Sequence, residues 1–174
     1  MPNPYQAYWC EENIWQLASR QASAAGERLV IVLTGAGGGE VACWQQRAGR
    51  ADQPLLWDYH VVLAACDGTA WRIWDLDSCL GCPVPAAAWL SATFPSSQLV
   101  EPSFQPRFAM FLAATWLSTF DSDRSHMRLA DGSWQQPPPP WPTIRGGGLT
   151  LSEAVEQARG GCDLATMRRR LLEV

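Results

Sequence analysis

The sequence predicts one compact domain that combines α-helices with antiparallel β-strands. Its 174 residues, 47% of them hydrophobic, are enough to bury a single core. Two segments rich in Val, Trp and Ile, residues 57–66 and 69–77, flank Asp67-Gly68, a dipeptide typical of tight hairpin turns. Apolar residues at helical spacing occur both before and after this hairpin. We therefore expect a single catalytic or binding domain over residues 1–174.

The first predicted helix begins near Cys10. The stretch from residue 12 to residue 26 carries apolar side chains at helical spacing: Ile14, Leu17, Ala18 and Ala22. Gly26 follows as a candidate C-terminal cap.

Residues 28–34 and 40–46 are predicted strands on either side of the glycine cluster at 35–39. A phosphate-binding P-loop requires a lysine, and the chain contains none. A dinucleotide-binding loop requires a following helix, whereas residues 41–44 favour a strand. The cluster is therefore interpreted as a flexible hairpin loop.

The second half of the chain predicts further helices. Residues 85–94 are typical of a short helix, and residues 107–120 fit either a strand leading into a helix or one buried helix. Residues 121–142 form a long polar, proline-rich segment, and a loop of this length is usually functional or disordered. Residues 150–174 indicate two short helices separated by Gly160-Gly161.

Charge and hydropathy exclude several classes of function. The net charge is −4, every basic residue is arginine, and the longest basic run is residues 168–170, which argues against a nucleic-acid partner. No window approaches the roughly 18 apolar residues of a membrane span, and the first 25 residues contain no signal-peptide core. We expect a cytoplasmic monomer with no membrane partner.

Six cysteines are present: Cys10, Cys43, Cys66, Cys79, Cys82 and Cys162. In a chain without an export signal we expect them to be reduced, and most to be small core residues. Cys79 and Cys82 have the C-x-x-C spacing of zinc or redox sites, but no second pair accompanies them. A loop or core role is therefore preferred for these two, and we expect no metal and no cofactor.

The hairpin allows a calculation of which side chains face one another. If Asp67 and Gly68 are the two central residues of a type I′ turn, the numbers of paired residues sum to 135. His60 then lies opposite Asp75, close enough for the carboxylate to hold an imidazole nitrogen. Asp77 pairs instead with Asp58. The sequence thus predicts a His60–Asp75 pair.

Cys10 is the candidate nucleophile for this pair. At a helix N-terminus, unpaired N–H groups and the helix dipole favour a thiolate, whereas the negative charges of Glu11 and Glu12 oppose it. His126, in the polar loop, is the alternative base, although a loop-ordering or substrate-contact role is preferred for it. Taken singly, each of these residues also has a purely structural interpretation.

Five segments together resemble one enzyme family: CEENIW, WDYHVVL, DLD, FDSDRSHM and PPPPWP. In this order and spacing, from about residue 5 to residue 144, they are similar to the protein N-terminal glutamine amidohydrolases. The resemblance implies an α+β fold, with an antiparallel sheet flanked by helices, related to papain-like and transglutaminase-like cysteine enzymes. It also implies a catalytic triad of Cys10, His60 and Asp75, and deamidation of N-terminal glutamine to glutamate on a protein or peptide substrate.

Selectivity for a chain terminus requires a carboxylate for the substrate α-ammonium. Candidates are Glu11, Glu12, Asp58, Asp77 and Asp123. Aromatic rings that could form the pocket wall are Tyr8, Trp9, Trp57 and Tyr59, and His126 is a further candidate substrate contact. Two alternatives stay open: another cysteine-dependent amide hydrolase or transferase, and a non-catalytic peptide-binding module on the same fold.

Overall fold

The computed structural model describes residues 3–96 and 99–173. In this part of the chain there are ten strands, numbered in chain order: β1 (Glu27–Gly35), β2 (Val41–Cys43), β3 (Leu55–Trp57), β4 (His60–Cys66), β5 (Trp71–Trp74), β6 (Val84–Pro85), β7 (Pro106–Leu112), β8 (Phe120–Asp121), β9 (Leu149–Thr150) and β10 (Cys162–Asp163). The α-helices are α1 (Cys10–Arg20), α2 (Ala86–Thr93), α3 (Ala113–Thr119), α4 (Leu151–Arg159) and α5 (Leu164–Leu172).

Six strands form one antiparallel sheet in the order β10-β7-β1-β4-β5-β6. Successive side chains of a strand point to opposite faces, and the core is divided accordingly. Leu29, Ile31 and Leu33 of β1 pack in one buried cluster with residues of α2 and α5. Val30 and Val32 pack in a second cluster with residues of α1, α3 and α4. The fold is therefore a mixed one, with helices covering both faces of an antiparallel sheet.

The strands of the predicted hairpin are present, but the predicted register is wrong by two residues. Leu63 pairs with Trp74 and Cys66 with Trp71, so paired numbers sum to 137 and the loop contains four residues instead of two. Asp67 Oδ1 explains the longer loop, because it accepts hydrogen bonds from the backbone N–H groups of Thr69 and Ala70. A shift of two residues keeps every side chain on its predicted face of the sheet.

Helix α1 ends at Arg20, with Gln21 as its C-terminal cap, so the prediction that it extends to Gly26 is wrong. Gly26 has a φ of +96° and lies at the turn into β1. A Cβ at this position would be 2.0 Å from the Cys66 carbonyl oxygen, so the glycine permits the close approach of two chain segments.

Two strand predictions need correction. β2 pairs with β3 in a separate small sheet and not with β1, so the glycine cluster at 35–39 does not close a hairpin. The predicted strand at 57–66 is interrupted at residues 58 and 59, which separate β3 from β4. This interruption matters for the site, because residues 57–59 line the cleft described below and His60, which follows them, begins β4.

Other expectations are confirmed. Residues 107–120 contain a strand followed by a helix, residues 85–94 contain α2, and the last segment contains α4 and α5 on either side of Gly160-Gly161. Thr150 caps α4 through a reciprocal hydrogen-bond pair with Glu153. None of the helices in the described residues has the length and apolar character needed to cross a membrane.

Candidate active site

Cys10 is the first residue of α1. The apolar stripe of this helix, which includes Ile14 and Leu17, is buried against the sheet and directs the thiol inward. Tyr8, two residues earlier, has a φ of +68°, a conformation that non-glycine residues adopt rarely and that turns the chain into the helix. The Cys10 side chain is only 7% exposed, and its Sγ lies 3.7 Å from Glu11 Oε2.

The pKa of the Cys10 thiol is raised well above its ordinary value. Burial is the main cause, and the negative charges of Glu11 and Asp77 add to it, whereas a backbone hydrogen bond from Val61 opposes it. Burial and these two acids therefore outweigh the helix dipole that the sequence suggested would favour a thiolate. A thiol of this kind reacts only if a nearby base removes its proton.

His60, the first residue of β4, lies in contact with Asp75 just beyond the end of β5. His60 Nε2 is 2.9 Å from Asp75 Oδ1, and both side chains are almost completely buried. The indole of Trp57 stacks on the imidazole with ring centroids 5.3 Å apart. Among the described residues, His60 Nδ1 has no hydrogen-bond partner although it is buried. The imidazole is thus oriented through one nitrogen and unpaired at the other.

Asp75 is held as a carboxylate by four donors. Oδ1 accepts from the Asp77 backbone N–H as well as from His60, and Oδ2 accepts from Gln46 Nε2 and Trp89 Nε1. Burial acts to raise the pKa of Asp75, but the His60 charge and these hydrogen bonds outweigh it and lower the pKa. Burial likewise acts to lower the pKa of His60, and Asp75 reverses that effect and raises it.

The sequence did not identify Gln46 or Trp89 as part of the site. Gln46 links two of its residues, because its Oε1 accepts from Trp57 Nε1 while its Nε2 donates to Asp75. Trp89 belongs to α2, and its Nε1 reaches Asp75 from that helix at 2.9 Å. A buried polar side chain needs hydrogen-bond partners. A glutamine or a tryptophan next to an apolar run is therefore the local signal that could have suggested Gln46 and Trp89.

One group within the described residues has donor atoms suited to a metal ion. Ligand atoms of His60, Asp75 and Asp77 lie within 4.8 Å of one another, and all three residues are buried. His60 Nε2 and Asp75 Oδ1 are already hydrogen-bonded to each other, so a metal there would have to displace that bond. The arrangement fits an oriented imidazole better than a metal centre.

Cys10 opens onto a cleft of about 970 Å³. Its walls come from the segment before α1, from the interruption between β3 and β4, from α4 and from the loop at 121–142. The predicted site residues that line it are Tyr8, Cys10, Trp57, Asp58, Tyr59, Asp77 and His126. Met127, Gln135 and Gln136 also line it.

Glu11 does not line this cleft. Its carboxylate is completely buried, and Oε2 accepts a hydrogen bond from Tyr59 O–H at 3.0 Å. His126 Nε2 lies 3.3 Å from the same Tyr59 oxygen and 3.6 Å from Glu11 Oε1. Burial raises the pKa of Glu11 to about 7 and lowers the pKa of His126. Glu11 therefore lies behind Tyr59 and His126, which separate it from the cleft.

Glu12 is occupied by a different set of contacts. Its Oε1 accepts from Arg124 Nε at 2.8 Å and from Ser122 Oγ at 2.6 Å, and its Oε2 accepts from Arg124 Nη2 and Trp141 Nε1, each at 2.7 Å. Arg124 also donates to the Trp141 carbonyl. These contacts hold the loop at 121–142 against α1. The same loop carries the cleft residues His126, Met127, Gln135 and Gln136.

The other candidates lie as follows. Asp58 is exposed at the rim of the cleft. Asp123 is exposed outside it, and its Oδ1 accepts from the backbone N–H and hydroxyl of Ser125. Trp9 is fully buried, and its Nε1 donates to the Pro137 carbonyl, so it packs beneath the loop.

Cys79 is exposed and Cys82 partly exposed, and both are free thiols.

Comparison with known proteins gives a consistent result. The sequence model of a family described as N-terminal glutamine amidase matches residues 5–158. Protein N-terminal glutamine amidohydrolase of Bos taurus is 35% identical over 147 residues, which cover 82% of this chain and 71% of that protein. The Homo sapiens protein of the same name is 35% identical, covering 82% and 72%. The Drosophila melanogaster protein of that name is 37% identical over 150 residues, covering 80% and 71%.

Among solved structures, the NMR structure of protein-glutaminase from Chryseobacterium proteolyticum gives a partial match. It matches with a TM-score of 0.40 and 14% sequence identity, over 79% of this chain and 65% of that one.

Proposed function

Because the chain belongs to the N-terminal glutamine amidase family, we propose that it hydrolyses the side-chain amide of N-terminal glutamine in proteins or peptides. The products are an N-terminal glutamate and ammonia. The observation that carries the proposal is the oriented imidazole: Asp75 holds His60 Nε2, and buried Nδ1 is left unpaired. Residues 57–59, which directly precede His60, line the same cleft as Cys10. Membership of the same family also supports the proposal that this α+β fold is related to the papain-like and transglutaminase-like cysteine enzymes.

The first step is attack by sulfur. Since the Cys10 thiol has a raised pKa, it is a neutral thiol before substrate binds, and a base must take its proton during the attack. His60 Nδ1 is the proposed base, and Asp75 fixes the tautomer by accepting the Nε2 proton. The raised pKa of His60 suits a group that accepts and then returns a proton.

The remaining steps follow from this assignment. Sγ of Cys10 bonds to the amide carbon, and the backbone N–H of Cys10 at the start of α1 is proposed as one donor to the resulting oxyanion. His60 protonates the departing ammonia, which leaves a thioester. The same imidazole then activates a water molecule, which hydrolyses the thioester to glutamate and restores the thiol.

The test is ammonia release from peptides that differ only at residue one. We expect release with Gln and none with Asn, Glu or Ala, and no release when the N-terminal Gln is acetylated. Release from acetylated or internal Gln would instead favour another cysteine-dependent amide hydrolase. Cys10→Ser should abolish release, whereas the matched control Cys79→Ser, at an exposed cysteine, should retain it. Full activity of Cys10→Ser would eliminate the mechanism.

A further inference from the structure

An N-terminal glutamine raises a chemical problem that an internal one does not. In the proposed thioester, the acyl carbon and the α-nitrogen belong to the same residue. If the α-amine attacks that carbon, a C–N bond forms, the C–S bond breaks and the amine proton passes to the departing sulfur. The product is then the cyclic lactam pyroglutamate, in place of the glutamate that water gives. An enzyme that makes glutamate must suppress this attack.

Protonation of the amine suppresses it, because an ammonium has no lone pair for attack. The pKa of a free α-amino group is about 7.7–8.0, so a fraction on the order of one tenth is neutral amine near pH 7. A carboxylate next to the ammonium lowers that fraction. It also holds the nitrogen away from the acyl carbon, since the two atoms are about 5 Å apart when the glutamine side chain is extended.

Asp77 is placed to supply this carboxylate. It lines the same cleft as Cys10 and is 6% exposed, so it lies at the bottom of the cleft and not on its rim. Its Oδ1 accepts a hydrogen bond from Tyr5 O–H at 2.7 Å. No described residue donates a hydrogen bond to Oδ2. A carboxylate oxygen of Asp77 lies within 4.8 Å of a His60 ring nitrogen, and Asp77 lines the cleft together with Cys10.

The other acids near the cleft are less suitable. Glu11 and Glu12 are fully buried and do not line the cleft. Both Glu12 oxygens accept from Arg124, and Glu11 Oε2 accepts from Tyr59. Glu11 Oε1 has no hydrogen-bond partner among the described residues, but it lies behind His126, 3.6 Å from Nε2 of that ring. Asp58 and Glu40 line the cleft but are exposed, where water competes for an ammonium and weakens the ion pair.

We propose that Asp77 binds the α-ammonium of the substrate glutamine and thereby directs the thioester to glutamate instead of pyroglutamate. The proposal rests on the function proposed above. It gives Asp77 two roles that one contact fulfils: recognition of a free chain terminus, and protection of the intermediate from its own amine.

The test compares native protein, Asp77→Asn and the matched control Asp52→Asn, which makes the same change at an exposed carboxylate that does not line the cleft. Product is identified by mass spectrometry, which separates glutamate, glutamine and pyroglutamate termini. Asp77→Asn should raise KM for a Gln peptide about 30-fold, since loss of a desolvated ion-pair partner is worth about 2 kcal/mol or more. It should also convert part of the product to pyroglutamate, increasingly so from pH 6 to pH 9. Asp52→Asn should change neither.

A second substrate distinguishes recognition of the ammonium from a general effect on the site. This peptide carries a five-carbon acid amide in place of Gln and lacks only the α-amino group, so it cannot cyclise. The native protein should prefer the Gln peptide in kcat/KM, and Asp77→Asn should lose that preference. Retained preference with glutamate as the only product, or equal loss of activity on both substrates, would overturn the role of Asp77. Failure of the native protein to release ammonia from either peptide would instead refute the proposed function itself.

Discussion

His60 Nε2 and Asp75 Oδ1 are 2.9 Å apart in a part of the protein from which solvent is almost absent. The two residues are separated by 15 positions in the chain, and the carboxylate has three further donors in addition to the imidazole. This pairing leaves His60 Nδ1, which has no hydrogen-bond partner among the described residues, as the nitrogen proposed to act as the base.

Asp75→Asn should lower kcat by about 10³–10⁴-fold, because an amide in this position no longer fixes the tautomer that leaves Nδ1 free. It should also destabilise the fold by about 3–5 kcal/mol, since a buried partner is left uncompensated. Ammonia release and urea unfolding measure the two effects. The control is Asp52→Asn, at an exposed carboxylate paired with Arg50, which should change both by little. Retention of native kcat by Asp75→Asn would contradict the assigned role.

Alkylation of Cys10 should depend steeply on pH. Burial and the charges of Glu11 and Asp77 raise its pKa, so the thiolate fraction, and with it the iodoacetamide rate, should rise about tenfold per pH unit between pH 6 and pH 9. Mass spectrometry of the Cys10 peptide measures the rate, and exposed Cys79 in the same sample controls for reagent decay. A rate that is already constant below pH 7 would show a preformed thiolate and refute the proton transfer proposed for His60.

Breaking the contact between Glu12 and Arg124 should destabilise the protein far more than breaking a surface ion pair. Arg124→Met leaves the Glu12 carboxylate buried with two neutral donors, so the free energy of unfolding should fall by about 3–5 kcal/mol. Arg159→Met, which removes an exposed i,i+3 pair with Glu156, is the matched control and should stay within about 0.5 kcal/mol. Similar losses for the two variants would mean that the loop at 121–142 is not held by Glu12.

Glu11 should make the protein less stable as pH rises. Its pKa is about 7 in the folded protein against an ordinary value of 4.5, so the folded state holds the proton more tightly than the unfolded state. The resulting stabilisation is present below about pH 4.5 and is lost progressively until about pH 7, a change of at most about 3 kcal/mol.

The variant Glu11→Gln cannot ionise and should lack this pH dependence. Its stability relative to the native protein should therefore increase between pH 4.5 and pH 8, as measured by urea unfolding at each pH. Glu153 is unsuitable as a control because it caps α4, whereas Glu40→Gln removes an exposed acid from the cleft wall and should follow the native curve. A constant difference between Glu11→Gln and native protein across this range would refute the raised pKa.

Much of the local structure could be predicted from the sequence. The start of α1 at Cys10, the strand that becomes β1 and the pair of helices around Gly160-Gly161 depend on side-chain periodicity and on glycine, which act over a few residues. The His60–Asp75 pair was predicted from a turn of the wrong length. It was nevertheless the right pair, because a two-residue change of register keeps both side chains on the same face.

The sequence by itself determined which groups are available for chemistry and the kind of element that carries each one: a thiol at a helix start, and an imidazole and a carboxylate on the two segments of a predicted hairpin. Only the tertiary structure decided their states and partners. Glu12 and Arg124 are 112 positions apart, and Trp89 reaches Asp75 from another element, so no local pattern specifies these contacts. Burial likewise arises only when the elements pack together. It raises the pKa of Cys10, which keeps that side chain a neutral thiol, and it raises the pKa of Glu11. The same packing places Asp77 in the lining of the cleft.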